Sequence, residues 1–273
     1  MIIDGHAHAC GDFLTSESII KKMDDAGIDK VILVPGESNS SKSYSLPNFA
    51  NVFPSKNVMK FTNSIIKFVI KITGKVKQIP NGNEYVYKLC KQSDGRILQF
   101  VWITQEIKNP VEYLNTKLSV WKFKGVKLHQ CWETFSIDSV FFNSIAKWTE
   151  ENNIPLFIHL FSDRDVKKII EYKKKHPKLK LIIAHLFGLE LFIDVQFKDS
   201  NLYFDSSPLP LISSKRLMNA LKFVGAERVL MGTDTPYGIN NLRKDLDRIK
   251  KLDISKKEKD LILGYNIKKL LKI

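Results

Sequence analysis

Short apolar runs alternate along this chain with longer segments whose apolar positions recur every three or four residues. The short runs fall at about 2–5, 30–34, 97–103, 124–129, 155–160, 179–185, 201–205 and 228–233, and they read as strands. Amphipathic segments at 16–26, 110–121, 139–151, 163–176, 213–224 and 242–252 read as helices. A last helix, 255–271, opens on Ser255-Lys256-Lys257-Glu258, in which the Ser and Glu side chains can cap each other's backbone N–H groups. Strand starts recur about every 20–30 residues, the size of one βα unit.

Eight such units predict an α/β protein whose parallel sheet closes into a (β/α)8 TIM barrel. A chain of 273 residues suits one domain of this kind, spanning 1–273. The gap between the second and third strands is much longer than the rest and predicts a helical insertion over 38–95. It starts Ser-rich at 38–43 and continues into a helix-like stretch around 56–73. Insertions at that face commonly cover an active site, so the segment reads as a lid or as a peripheral helical addition.

Composition narrows the class. Hydrophobic residues make up 44% and charged residues 26%, which leaves ample material for the core of a soluble enzyme. The chain begins directly with strand-like sequence, and its most apolar stretch, 65–72, carries lysines and is too short to span a bilayer. A cytoplasmic protein with no membrane partner is expected. Cys10, Cys90 and Cys131 form no Cys-x-x-Cys pair and suggest neither a zinc knuckle nor a disulfide framework. Cys10 and Cys131 lie near the motifs described next and could line a pocket.

The net charge of +14 invites a nucleic-acid reading. The excess is almost all lysine, however, with arginine only at 96, 164, 216, 228, 243 and 248. A solvated lysine surface that steers a small anionic substrate is the expectation, with no nucleic-acid partner. A non-catalytic duplex binder would show steep salt dependence and indifference to chelators. The sequence is compatible with a homo-oligomer and does not specify one.

The candidate chemistry sits at strand ends. His6 and His8, at i and i+2 on extended backbone, project to one face and can reach one cation together. Lys127 and His129 end the fourth predicted strand, His159 the fifth, His185 the sixth and Asp234 the eighth. In a barrel these groups converge above the axis at the C-terminal face, where active sites form. The sixth histidine, His176, belongs to a helix-to-strand turn at the opposite end and reads as structural.

The runs Asp4-Gly5-His6-Ala7-His8, Gly125-Val126-Lys127-Leu128-His129, Ile158-His159, Ala184-His185 and Gly232-Thr233-Asp234-Thr235-Pro236-Tyr237-Gly238 resemble the amidohydrolase superfamily. In particular they resemble its amidohydrolase-related branch, which includes aminocarboxymuconate-semialdehyde decarboxylase. Ile262-Leu263-Gly264-Tyr265-Asn266 through Leu271 resembles that branch's terminal helix. The resemblance implies metal ligation by His6, His8, His159 and Asp234, with Asp234 also handling the proton of a bound water. It implies that His185 is a ligand of a second metal or a metal-free acid/base. Three imidazoles and a carboxylate suit Zn²⁺ or a similar divalent ion, with a position left for water or substrate.

Lys127 carries two readings. In binuclear members of the superfamily a lysine at this strand end is carboxylated and bridges two metals; in mononuclear decarboxylase-like members it would meet a substrate carboxylate or pair within the core. A single ion with uncarboxylated Lys127 is the expectation, with His185, Lys127 and His129 as the groups for a second metal or for substrate. The leading function is hydrolysis of a small carboxylated or cyclic amide or lactone substrate by metal-activated water. The competitor is non-oxidative decarboxylation. Phe161, Trp132, Phe135, Pro208, Pro210 and Tyr237 fall in loops that set specificity, and Arg164, after the fifth strand, is the expected clamp on a substrate carboxylate.

Overall fold

The computed structural model describes residues 1–37, 48–54, 58–73 and 81–273. The Ser-rich stretch 38–43 and the start of the expected helix at 56–57 lie outside them. Eight strands form, each apolar on its outward face: β1 (Ile3–Ala9), β2 (Lys30–Pro35), β3 (Ile97–Trp102), β4 (Gly125–His129), β5 (Leu156–His159), β6 (Leu181–Ile183), β7 (Leu202–Asp205) and β8 (Val229–Leu230). They pair in chain order, every pair parallel. Hydrogen bonds from Gly5 N to Met231 O (2.8 Å), Asp234 N to His6 O (2.7 Å) and His8 N to Thr235 O (2.7 Å) bring the chain after β8 back to β1 and close the (β/α)8 barrel.

Because side chains alternate across a strand, each strand feeds two cores. Ala7, Val31, Val101, Val126, Leu128, Ile158, Ile183 and Phe204 face the surrounding helices in one large cluster. Ile3, Ile32, Phe100, Phe157, Ile182, Tyr203 and Leu230 fill the barrel, and Ile267, Leu270 and Leu271 of the terminal helix plug its lower end. The upper part of the interior is polar, and His6, His8, Lys127, His159 and Asp205 occupy it, all buried.

Several boundaries differ from the sequence pattern. β1 runs on through His6 and His8 to Ala9, since Ala7 and Ala9 continue the outward apolar face. β6 stops at Ile183, and His185 lies in a 3₁₀ turn with φ 59° rather than in the strand. β8 is only two residues long because Met231 N turns away to the carbonyl of Ile262 (3.0 Å). The terminal helix, whose Ile262 carbonyl accepts that bond, widens into a π turn at Leu261–Tyr265 between Lys256–Asp260 and Asn266–Leu271. The capping box of Ser255 and Glu258 is present as expected.

The insertion contains the helices Phe49–Val52, Val58–Thr73 and Gly82–Lys91. The last packs on both β2 and β3, with Asn83 bonded to both N and O of Trp102 at 2.8 Å, and is the helix the barrel repeat requires there. The added material therefore precedes it. Val58–Thr73 docks on the loop after β5 through Asn63 to Leu160 O (3.1 Å) and Lys60 to Asp163 (2.6 Å). His176 lies at the far end of the barrel, bonded to Glu150 (3.0 Å) and stacked on Tyr172.

Asp4 pins the closure. Its Oδ1 accepts from His6 N (3.1 Å) and Thr233 N (3.0 Å), and its Oδ2 from the Thr233 hydroxyl (2.7 Å). Asp4→Ala would orphan buried donors on both sides of the seam, at a cost of about 1–3 kcal/mol each. Asp4→Asn keeps the shape and an acceptor and costs less. Urea unfolding of the metal-free protein measures both; an Asp4→Ala midpoint equal to wild type would overturn this role.

Candidate metal centre

Four imidazoles meet at the upper end of the barrel, and each has one nitrogen committed to an acceptor. His8 Nδ1 donates to the Pro35 carbonyl (3.0 Å) and His185 Nδ1 to the Ser207 carbonyl (2.8 Å). His6 Nδ1 faces Asp205 Oδ2 (3.2 Å) and Ser207 Oγ (3.1 Å). The Ser207 hydroxyl already gives its hydrogen to Asp205 (2.6 Å), so both partners accept and His6 Nδ1 carries the proton. His159 Nε2 donates to Asn63 Oδ1 (3.0 Å).

These bonds assign the tautomers and leave the remaining lone pairs turned inward. His6 Nε2 and His8 Nε2 lie 3.2 Å apart, and His159 Nδ1 and His185 Nε2 3.1 Å apart. Asp234 Oδ1 stands 3.5 Å from His6 Nε2 and 3.3 Å from His8 Nε2. Acceptors thus face acceptors, with the Lys127 amine, 3.1 Å from His6 Nε2, as a donor among them. A divalent cation relieves that conflict by accepting the lone pairs, and three imidazoles with a carboxylate are a donor set that suits one. His6, His8 and Asp234 form a compact group whose ligand atoms lie within 4.8 Å of one another, and His159 adjoins it through His185.

Electrostatics agree with neutral ligands. Burial, reinforced by Lys127, pushes the pKa of His6 well below the usual imidazole range. Burial does the same at His129 and His159. At Asp234 burial works the other way, but His6, His185 and His8 outweigh it and lower the carboxyl to about 2, a pull these rings exert only while doubly protonated and one that a bound cation would supply in their place. Asp234 and His185 both have positive φ, 55° and 59°. Such backbone costs about 1–3 kcal/mol per residue and is retained where the surroundings over-determine it.

The other expected residues fall into different positions. His129 Nδ1 accepts from Cys131 N (3.2 Å) and Trp132 N (3.3 Å), which puts its proton on Nε2. In that tautomer it is a wall of the site, stacked between Trp102 and His159, and offers no lone pair to the cluster. Cys131 Sγ lies 3.5 Å from His159 Nε2 and Cys10 Sγ 3.9 Å from the Tyr237 hydroxyl. Burial raises both thiols to about 12, so both are protonated in the metal-free protein, and Cys131 with His129 and His159 forms a second group whose ligand atoms lie within 4.8 Å of one another. Arg164 is exposed on the helix Asp163–Lys175, where its charge acts on Asp138; no contact with the imidazoles is found among the described residues.

Sequence reasoning missed three residues. Asp205 ends an apolar run as Asp234 does and could have been found by the same signal. Ser207 and Asn63 carry no such mark. Gly232 shows how tightly this support is packed, since a Cβ there would strike Asp205 Oδ1 and crowd His6.

Lys127 is fully buried, its Nζ 3.9 Å above the Phe157 ring. Burial drops its pKa from 10.5 to about 7, against the pull of Asp234 and Asp205. The unfolded chain keeps that proton up to the ordinary value, so between about 7 and 10.5 it binds more protons than the native state. Stability of the metal-free protein therefore rises with pH in this window, by at most about 1.4 kcal/mol per unit from this group. Lys127→Met should remove that part of the slope. Urea midpoints of both proteins at about pH 7 and about pH 9 check it; equal slopes would refute it.

A sequence comparison with curated proteins finds no match. Among solved structures, the chain resembles 5-carboxyvanillate decarboxylase from Sphingomonas paucimobilis (TM-score 0.65, 14% identity, covering 100% of this chain and 99% of that one). It resembles 4-oxalomesaconate hydratase from Rhodopseudomonas palustris equally well (0.66, 14%, 100% and 96%). A protein described as a probable 2-pyrone-4,6-dicarboxylic acid hydrolase from Acinetobacter baumannii, with citric acid bound, gives 0.66 at 15%, covering 100% and 99%. At these identities the likeness establishes the barrel fold. The family follows from sequence: the amidohydrolase family profile matches residues 64–273, which take in β3 to β8 with His159, His185 and Asp234, and the chain belongs to the amidohydrolase family.

Proposed function

We propose that this amidohydrolase-family protein is a metal-dependent hydrolase acting on a small carboxylated or cyclic amide or lactone substrate. The observation that carries the reading is the pair of His6 and His8 lone pairs beside an ionised Asp234, with the His159 and His185 lone pairs facing each other in the same buried cluster. His6, His8, His159 and Asp234 would hold one divalent ion, zinc being the expected one, with Lys127 uncarboxylated. Such an ion, when bound, lowers the pKa of a water to roughly 7 and polarises a carbonyl.

The chain's own groups move the protons and place the substrate. Asp234 is ionised at neutral pH, so it can accept the proton of the attacking water and return it to the leaving nitrogen or oxygen. His185 presents an unprotonated Nε2, fixed by its Nδ1 bond to Ser207 O, and serves as a second proton carrier. Trp102, Trp132 and Tyr237 stand around His8 and His129 as an aromatic wall suited to a flat ring. The Trp132 indole N–H is buried with no hydrogen-bond partner among the described residues and can donate to a substrate oxygen. Arg164 is proposed for a substrate carboxylate that reaches out of the barrel.

A second reading, non-oxidative decarboxylation, is favoured by full-length likeness to a carboxyvanillate decarboxylase. It uses the same ligands, with the proton carriers delivering a proton to the carbon that loses carbon dioxide. A panel of carboxylated lactones, cyclic amides and aromatic carboxylates, assayed with and without chelator, separates the two. Release of carbon dioxide as the sole reaction would replace hydrolysis.

Two variants test the assignments. The double substitution His6→Ala with His8→Ala should abolish stoichiometric zinc in elemental analysis; full retention would defeat the ligand set. Asp234→Asn keeps one oxygen and loses the base. With saturating zinc its turnover should fall by roughly 10²–10⁴-fold, the usual worth of general-base catalysis. Near-normal turnover in a fully metallated Asp234→Asn protein would leave Asp234 as a ligand only.

A further inference from the structure

We propose that Asn63, on the insertion helix Val58–Thr73, is a positioning residue of the metal centre. It holds His159 with the proton on Nε2 and the Nδ1 lone pair turned toward the cluster. This rests on the metal-centre reading above and extends it to a segment outside the barrel repeat.

Asn63 is completely buried, on a helix whose Phe61, Ile65, Phe68 and Ile72 are exposed. Its neighbours on the buried side include Val58 and Met59. An amide at such a position costs stability unless its hydrogen bonds are made. They are made: Nδ2 donates to Leu160 O (3.1 Å) and Phe161 O (3.4 Å), and Oδ1 faces His159 Nε2 (3.0 Å). Two carbonyls around Nδ2 leave only one orientation for the amide, so Oδ1 is the atom presented to the ring.

That orientation decides the tautomer. With the proton on Nδ1, His159 Nε2 and Asn63 Oδ1 would be two acceptors 3.0 Å apart. Cys131 Sγ, 3.5 Å from the same nitrogen, is the only other partner found there among the described residues, and a thiol is a weak donor. Docking of the helix needs only the carbonyl bonds. The bond to His159 is additional, and it reaches the ring on the side opposite Nδ1. Metal occupancy and docking of this helix therefore stabilise each other, since each favours the same His159 state.

Zinc titration and long-range ¹H–¹⁵N spectra of the histidine rings test this on the full chain. In the metal-free wild type, His159 should show the Nε2–H pattern. Asn63→Leu keeps the volume and removes the acceptor; it should lose that pattern and bind zinc 10–100-fold more weakly, the usual effect of losing a ligand's supporting partner. Asn63→Asp keeps the shape; burial favours its neutral acid, whose hydroxyl can donate to the Leu160 carbonyl while the other oxygen accepts from Nε2, and it should recover most of the affinity and the tautomer. Zinc should also slow amide exchange across 58–73 in wild type and not in Asn63→Leu. Wild-type affinity and an unchanged His159 spectrum in Asn63→Leu would overturn the proposal, as would an Asn63→Asp protein no better than Asn63→Leu. A wild type that binds no zinc would defeat the metal centre instead, while the ring spectra would still judge Asn63.

Discussion

At the mouth of the barrel, four imidazoles are held so that each has one nitrogen bonded to an oxygen acceptor and the other facing inward. Nearly everything else in the upper barrel follows from this arrangement. Neutral rings in a buried site tolerate close approach, whereas imidazolium rings at these distances would repel. The inward lone pairs and the Asp234 carboxylate then form a surplus of acceptors, which a divalent cation or the Lys127 amine can satisfy. The lowering of the Lys127 pKa to about 7 belongs to the same balance, because a buried ammonium lacks the water that favours its charge.

The acceptors that tie down these rings come from different strands and loops, and they join the site to the fold. Pro35 ends β2, Asp205 ends β7, Ser207 follows it and Asn63 belongs to the insertion. Asp205 does the most, receiving bonds from the Ser207 hydroxyl, Ser207 N and His185 N while facing His6 Nδ1. Backbone strain at His185 and Asp234 is sustained because these residues are pinned from several sides. Rigidity of the closed sheet thereby becomes precision in the placement of the donors.

Charge is organised on two scales. Inside, some buried charges are paired, Arg248 with Asp245 and Lys173 with Asp199, while Asp4 is held by neutral donors. Outside, lysine dominates and gives the chain its net +14. A positive surface raises the local concentration of anions and speeds their encounter without dictating which one binds. Within the proposed function, substrate choice falls to the aromatic wall and the few polar groups beside it.

The alternation of apolar runs and amphipathic helices was enough to specify an eight-stranded parallel barrel, since a two-sided apolar strand followed by a helix has few other ways to bury itself. Residues that end such runs, His159 and Asp234 among them, were legible because chemistry at a strand end needs only sequence position to locate it. Even there the pattern misplaced His185 and Asp234, which the backbone presents from left-handed residues beyond the ends of β6 and β8. Helix Gly82–Lys91 was absorbed into the insertion because its short amphipathic run carries no separate signal. The tautomers, the exclusion of His129 from the inward set and the part played by Asn63 depend on contacts between residues far apart in the chain, 96 positions in the case of Asn63 and His159. Local sequence sets which groups are available at each strand end. Which nitrogen of each ring is left open is decided by whatever oxygen the closed barrel brings to its other side.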